Sequence, residues 1–142
     1  NRCIKTASEM IVDVVGDIVA GKELPRRVQD LSQRRLYRRA DAQDGTIDWT
    51  WSARRITDFA RAGDYHPFAS PSYSASWVTP SGREITVLTC VPEGAALPAG
   101  VAQMEGDSPL VGCGTDETVR ITRALHDGAE IAPADWPAFL AG

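Results

Sequence analysis

The chain has 142 residues, 43% hydrophobic and 24% charged, with a formal net charge of −4. That length allows one domain with a real core, or one domain plus a fragment, and no apolar run reaches the ~20 residues that a membrane helix needs. The acidic balance speaks against a general nucleic-acid binder, but the charge is uneven: Lys22–Arg39 holds seven basic and two acidic residues.

Cys3, Cys90 and Cys113 form an odd set without a CxxC pair or metal-ligand spacing. This predicts reduced thiols in a cytoplasmic setting, with Cys90 and Cys113 as small core residues. A start at Asn-Arg-Cys, without an initiator Met or signal pattern, reads as a piece of a longer protein.

In chain order, Thr6-Ala-Ser-Glu9 has the form of a capping box. Met10, Ile11, Val14, Val15, Ile18 and Val19 then recur at helical steps up to Ala20, with Gly21 as the stop. The helix carries a broad apolar stripe, and the sequence nearby offers no face to cover it. Lys22–Arg39 lacks an apolar period and contains Pro25. It reads as an extended connector whose arginines are either solvated or placed for a phosphorylated or acidic partner, because guanidinium groups grip phosphate with two parallel hydrogen bonds.

Asp44-Gly45 is a turn. A second helix is predicted from an N-cap at Thr50 to a stop at Gly63, with Trp51, Ile56, Phe59 and Ala60 inward and Arg54, Arg55, Asp58 and Arg61 outward. Trp49 and Trp51 read as packing anchors. After the two-proline loop Asp64–Pro71, strands are predicted over Ser74–Thr79, Glu84–Val91, Gly100–Met104, Leu110–Cys113 and Thr118–Leu125. Ile131 extends the sheet, and Pro133 opens a terminal helix that Pro137 shortens. Short strands at near-regular spacing with glycine-rich turns imply a small closed or partly open barrel. The fold class is therefore mainly β with flanking helices: a small β-barrel preceded by a terminal helix and a linker.

Little in the chain carries chemistry. His66 lies before Pro67, and His126 beside Asp127 reads as a surface pair. No serine sits in a nucleophile elbow, no glycine run has the strand–loop–helix context of a phosphate cradle, and no carboxylate pair is placed for acid–base work. We expect no catalytic, cofactor-binding or metal-binding residue here.

One order of signals does identify a family. Gly21, Gln29 and Tyr37 lead to Asp44-Gly45-Thr46-Ile47-Asp48-Trp49, then Arg61-Ala62, Pro67-Phe68-Ala69-Ser70-Pro71 and the tail Phe139-Leu140-Ala141-Gly142. This order resembles the C-terminal part of formyl-tetrahydrofolate-dependent formyltransferases, over nearly the whole chain. The resemblance implies three segments: residues 1–21 as the last helix of an absent catalytic α/β domain, 22–43 as an Arg-rich linker, and 44–142 as the OB-like C-terminal domain. It implies formyl-tetrahydrofolate as the parent enzyme's cofactor, with the catalytic Asn, His and Asp in the earlier domain.

The acceptor is read from the loop and the charge. The loop after Arg61-Ala62 lacks the Pro-Gly-Ala of tRNA-specific members, and Tyr73–Gly142 has nine carboxylates against three arginines. That favours an amine of a specialised metabolite, with a carrier protein or nucleotide-linked substrate at Arg26, Arg27, Arg34, Arg35, Arg38 and Arg39. The alternative is a tRNA-binding domain in which Arg34, Arg35, Arg38 and Arg39 meet the acceptor stem. A free-standing barrel is the third reading. None of the three involves a membrane.

Overall fold

The computed structural model describes residues 2–36, 38–114 and 116–142, and the side chains of Arg2 and Arg39 lie outside that description. Tyr37, one mark of the family resemblance, also lies outside the described residues. The chain divides into two units, Asn1–Leu36 and Tyr37–Gly142.

In the first unit, helix α1 runs Arg2–Val19. It starts a turn earlier than the capping-box pattern predicts, so Thr6–Glu9 is helix interior. There the Ser8 hydroxyl donates back to the Ile4 carbonyl oxygen at 3.0 Å, the competing bond that Ser makes inside helices. The stop falls where expected. Gly21 takes φ +68, Lys22 N–H donates to the Asp17 carbonyl oxygen (2.9 Å) and Gly21 N–H to that of Ile18 (3.0 Å). This is the Schellman pattern, which satisfies the last carbonyls of the helix. Met10, Ile11, Val14, Val15 and Ile18 are all exposed. Beyond the helix, the described residues of this unit form no regular element except one 3-10 turn, Leu31–Gln33, capped by Asp30.

The second unit opens on a 3-10 segment, Arg39–Gly45, followed by helix α2, Ala53–Gly63. Among the described residues six strands follow: β1 Ser76–Val78, β2 Glu84–Glu93, β3 Ala102–Glu105, β4 Ser108–Cys113, β5 Glu117–His126 and β6 Ala129–Glu130. A 3-10 turn at Pro133–Asp135 leads into α3, Trp136–Leu140. Pro133 starts that segment, and Pro137 marks the change from 3-10 to α geometry, as a residue without an N–H must near a helix start. All strand pairs are antiparallel, in the order β1-β2-β5-β4-β3 with β6 on β5. Among the described residues β1 and β3 do not pair, so the sheet is of the partly open kind. The fold is mainly β with flanking helices, as its strand periodicity predicts.

Glycine-rich turns set the register. His126 pairs with Ala129 across Asp127-Gly128, both at positive φ (50 and 81). That is the two-residue turn whose twist matches a hairpin. The alternation of β2 breaks midway: Val87 and Leu88 are both buried, and the pairing with β5 shifts between Val87 and Cys90. Leu88 lies on the face opposite Ile85 and Val87, and the bulge brings Cys90 back to the core face. The core joins α2, β1, β2, β4, β5 and α3 through Ile56, Trp77, Ile85, Val87, Val111, Val119, Ile121, Trp136 and Phe139.

Helix α2 buries Ala53, Ile56 and Ala60, in keeping with the expected inward face. Its start differs from expectation. Thr50 is engaged elsewhere: its N–H and hydroxyl both donate to Asp48 Oδ1, at 2.9 and 2.7 Å. Ser52 is the N-cap, accepting from Arg55 N–H at 3.3 Å. Gly63 closes the helix for a different reason from the one the stop rule supplies. It has no positive φ, but an added Cβ would lie 3.0 Å from the Tyr73 ring and 3.2 Å from the Ala75 nitrogen.

Cys90 and Cys113 are core residues, and all three cysteines are free. Burial, and then the nearby Glu117 carboxylate, push the Cys113 thiol up to about 11. Burial also raises Cys90. Thiolate is the reactive form. A thiol titration of the native chain is therefore expected to modify Cys3 at once and the other two only after denaturation. Fast modification of more than one thiol would contradict the core described here.

Candidate functional site

The Asp44–Trp49 motif is a seam between the start of α2 and the sheet. Gln43, Asp44 and Gly45 have successive positive φ values of 48, 53 and 94. A side chain at Gly45 would fall on the Ser74 carbonyl oxygen, so glycine is required there by both backbone and space. Ile47 N–H donates to the Ser76 carbonyl oxygen at 2.9 Å, and Ile47 is buried. Asp48, bonded by the Thr50 hydroxyl and then its N–H, is held below the usual carboxylate range. Trp49 meets Trp77 edge-to-face at 5.2 Å, and its buried Nε1 has no acceptor among the described residues. Trp51 meets Phe59 the same way at 5.1 Å, with the Arg55 guanidinium 4.0 Å above the Trp51 ring. Both tryptophans are anchors, as expected.

The β4–β5 turn clamps this seam from the far side. Gly114 N–H donates to the Trp49 carbonyl oxygen at 3.0 Å. Glu117 Oε2 accepts from Ala53 N–H at 2.6 Å, where a carboxylate also complements the helix dipole. Glu117 thus serves as a second cap, 64 residues along the chain from Ala53, and no local pattern announces it. Removing it should cost more than removing Ser52, since its bond is shorter and charge-assisted. E117A is expected to destabilise this unit by about 1–2 kcal/mol and S52A by ~0.5 kcal/mol. Paired denaturant titrations check the order, and a larger loss for S52A would contradict it.

Among the described residues, the two arginines within the strands are both paired. Arg120 bonds Glu93 (2.6 Å) and Glu105 (3.3 Å). Arg123 bonds both carboxylate oxygens of Glu130, at 2.9 and 3.2 Å, which holds Glu130 below its ordinary range. Arg83 lies 4.9 Å from the centre of the Phe139 ring. The His126–Asp127 pair is 3.5 Å apart, and His126 Nδ1 lies 3.0 Å from the Glu84 carbonyl oxygen. Among the described residues no third group joins them to make a catalytic set.

The connector differs. Arg26, Arg27, Arg34 and Arg35 are exposed in the first unit and Arg38 in the second. Arg39 is described only as the first residue of its 3-10 segment. Arg27, Arg34 and Arg35 line one concavity with Val28, Asp30 and Leu31. Asp30, the only carboxylate in that bend, is already occupied: it accepts from Ser32 N–H (3.0 Å), Ser32 Oγ (2.6 Å) and Gln33 Nε2 (3.0 Å). These bonds hold it below the usual carboxylate range. Among the described residues none of the five exposed guanidinium groups forms an ion pair.

Comparison with known proteins adds the family. Residues 39–139 match the family described as "Formyl transferase, C-terminal domain". The chain is 32% identical over 132 residues to a methionyl-tRNA formyltransferase of Anaeromyxobacter dehalogenans, covering 89% of this chain and 40% of that protein. It is 31% identical to the protein of the same name from Anaeromyxobacter sp. (strain K), with the same coverage. With that of Verminephrobacter eiseniae it shares 25% over 142 residues, 96% of this chain and 42% of the relative. The chain thus spans roughly two fifths of the length of the curated relatives it matches. By the extent and place of the family match, this chain belongs to the formyl transferase C-terminal domain family.

Proposed function

We propose that the chain is the accessory, acceptor-presenting part of a formyltransferase that uses formyl-tetrahydrofolate and acts on methionyl-tRNA. The observation that carries this reading is the run of similarity through nearly the whole chain to proteins named methionyl-tRNA formyltransferase. It reverses the order of preference drawn from the acidic sheet. Residues 1–21 are then the last helix of the catalytic domain, 22–43 the linker and 44–142 the OB-like domain. The exposed stripe of α1 rests on that catalytic domain, in a cytoplasmic enzyme. The arginines of the linker meet tRNA phosphates, since the sheet's own Arg120 and Arg123 are already paired. No formyl-transfer step is assigned to a residue of this chain.

A specialised-metabolite amine is the second reading, favoured by the carboxylate excess of Tyr73–Gly142. Gel shift of methionyl-tRNA by the chain at low salt separates the two. The tRNA reading expects a shift that high salt removes. Failure to shift tRNA even at low salt would leave the metabolite reading in its place.

A further inference from the structure

The second unit has a recess unrelated to any residue singled out for catalysis. It is open to solvent, has a volume of about 440 Å³, and is lined by Phe59, Pro71, Tyr73 and Ala42, with Arg38 and Asp41 as its charged members. That volume lies in the range of small-ligand sites. The Phe59 and Tyr73 rings are stacked with centroids 4.5 Å apart and planes 21° from parallel. Tyr73 is fixed by its hydroxyl donating to the Phe59 carbonyl oxygen at 3.0 Å. Asp41 is fixed as well: Oδ2 accepts from Arg38 N–H at 2.7 Å. Asp41 Oδ1 has no hydrogen-bond donor among the described residues, and the Arg38 guanidinium has no carboxylate partner there.

We infer that this recess binds a single nucleotide, with the base against the aromatic and proline wall and the phosphate on Arg38. Three features select that class. The apolar aromatic wall suits the flat face of a base, which stacks on such rings. The exposed guanidinium suits a phosphate. The free oxygen of Asp41 suits an exocyclic amino group, as a carboxylate does when it accepts from the amino group of cytosine. A free carboxylate beside the cation also opposes a bare phosphate or a polyanionic surface, so the base is needed for binding. The inference rests on the tRNA reading only for the source of the nucleotide, an unpaired residue of the acceptor.

The test is NMR titration of the 15N-labelled 142-residue chain with CMP, UMP and ribose 5-phosphate. CMP is expected to move the amide signals of Ala42, Ser72 and Tyr73 saturably at millimolar concentration. Ribose 5-phosphate should bind at least tenfold more weakly. R38A, at an exposed position, should weaken CMP on the order of tenfold. D41N should erase the preference for CMP over UMP, and A42W should fill the recess and abolish binding. Absence of saturable shifts, equal binding of ribose 5-phosphate, or CMP binding unchanged in both R38A and A42W would overturn the inference. The two proposals fail separately. A tRNA shift lost with the connector arginines but no CMP site leaves the functional reading standing. A CMP site without any tRNA shift leaves the recess and removes its RNA.

Discussion

Replacing Gly112 with alanine is expected to destabilise the second unit by about 3 kcal/mol or more, among the larger single-residue effects. Gly112 lies in β4, whose residues from Pro109 to Cys113 are all buried. The loop between β2 and β3 lies directly against it. Gly100 N–H donates to the Gly112 carbonyl oxygen (2.9 Å), and Gly112 N–H to that of Val101 (2.8 Å). A Cβ on Gly112 would overlap the carbonyl oxygens of Pro98 and Leu97. Those are backbone atoms held by the loop's own bonds, so no rotamer change relieves the overlap. Gly82 is the control. It has φ +81 but open space around it, so G82A costs only the left-handed backbone term, ~1 kcal/mol. Thermal melts of the two variants should differ by several degrees. Equal melting temperatures would mean that the loop does not sit on β4 as described.

Replacing Arg26, Arg27, Arg34, Arg35 and Arg38 together by alanine should reduce tRNA affinity on the order of a hundredfold or more at low salt. All five side chains are exposed and free of carboxylates among the described residues, so the fold should be untouched. Unchanged thermal melts with weakened tRNA binding would locate the loss in contact rather than folding. A change of the same kind on the sheet is not equivalent. Arg120→Ala would strand Glu93 and Glu105, which Arg120 bonds at 2.6 and 3.3 Å, and so would mix a folding effect with any binding effect. Full tRNA affinity in the connector variant would remove these arginines from the account.

What is legible in the sequence follows the length scale of the interaction. The strands are readable because alternation and turn glycines act over a few residues, and the buried face of α2 because Ile56 and Ala60 recur at a helical step. The start of α2 is not, because Asp48 captures Thr50 before it can cap, and two hydroxyl residues two positions apart look alike in a sequence. The second cap, Glu117, comes from the β4–β5 turn and leaves no local trace. The bulge at Val87–Cys90 is hidden within a run of apolar and β-branched residues that fits either register. The stop rule places Gly63 correctly, but the cause, the Tyr73 ring, is tertiary.

The connector illustrates a different limit. Its basic residues are evident in the sequence, but whether they are free depends on Asp30, whose carboxylate is taken up by Ser32 and Gln33. The acceptor preference drawn from the acidic sheet leans on regional charge. Regional charge records where cations are scarce, and it leaves open what a basic segment outside that region binds. The recess beside Phe59 is beyond local reading altogether, since Arg38, Phe59 and Tyr73 meet only through the fold.

The central claim, that the connector supplies the anion contacts of a tRNA formyltransferase, is tested most directly by the salt dependence of tRNA binding. Plotted as log affinity against log salt for the chain and for the five-arginine variant, the slope is expected to be about −4 for the former, for roughly five phosphates neutralised. It should fall close to zero for the latter. The same slope in both, or no measurable binding by the unaltered chain, would contradict the claim.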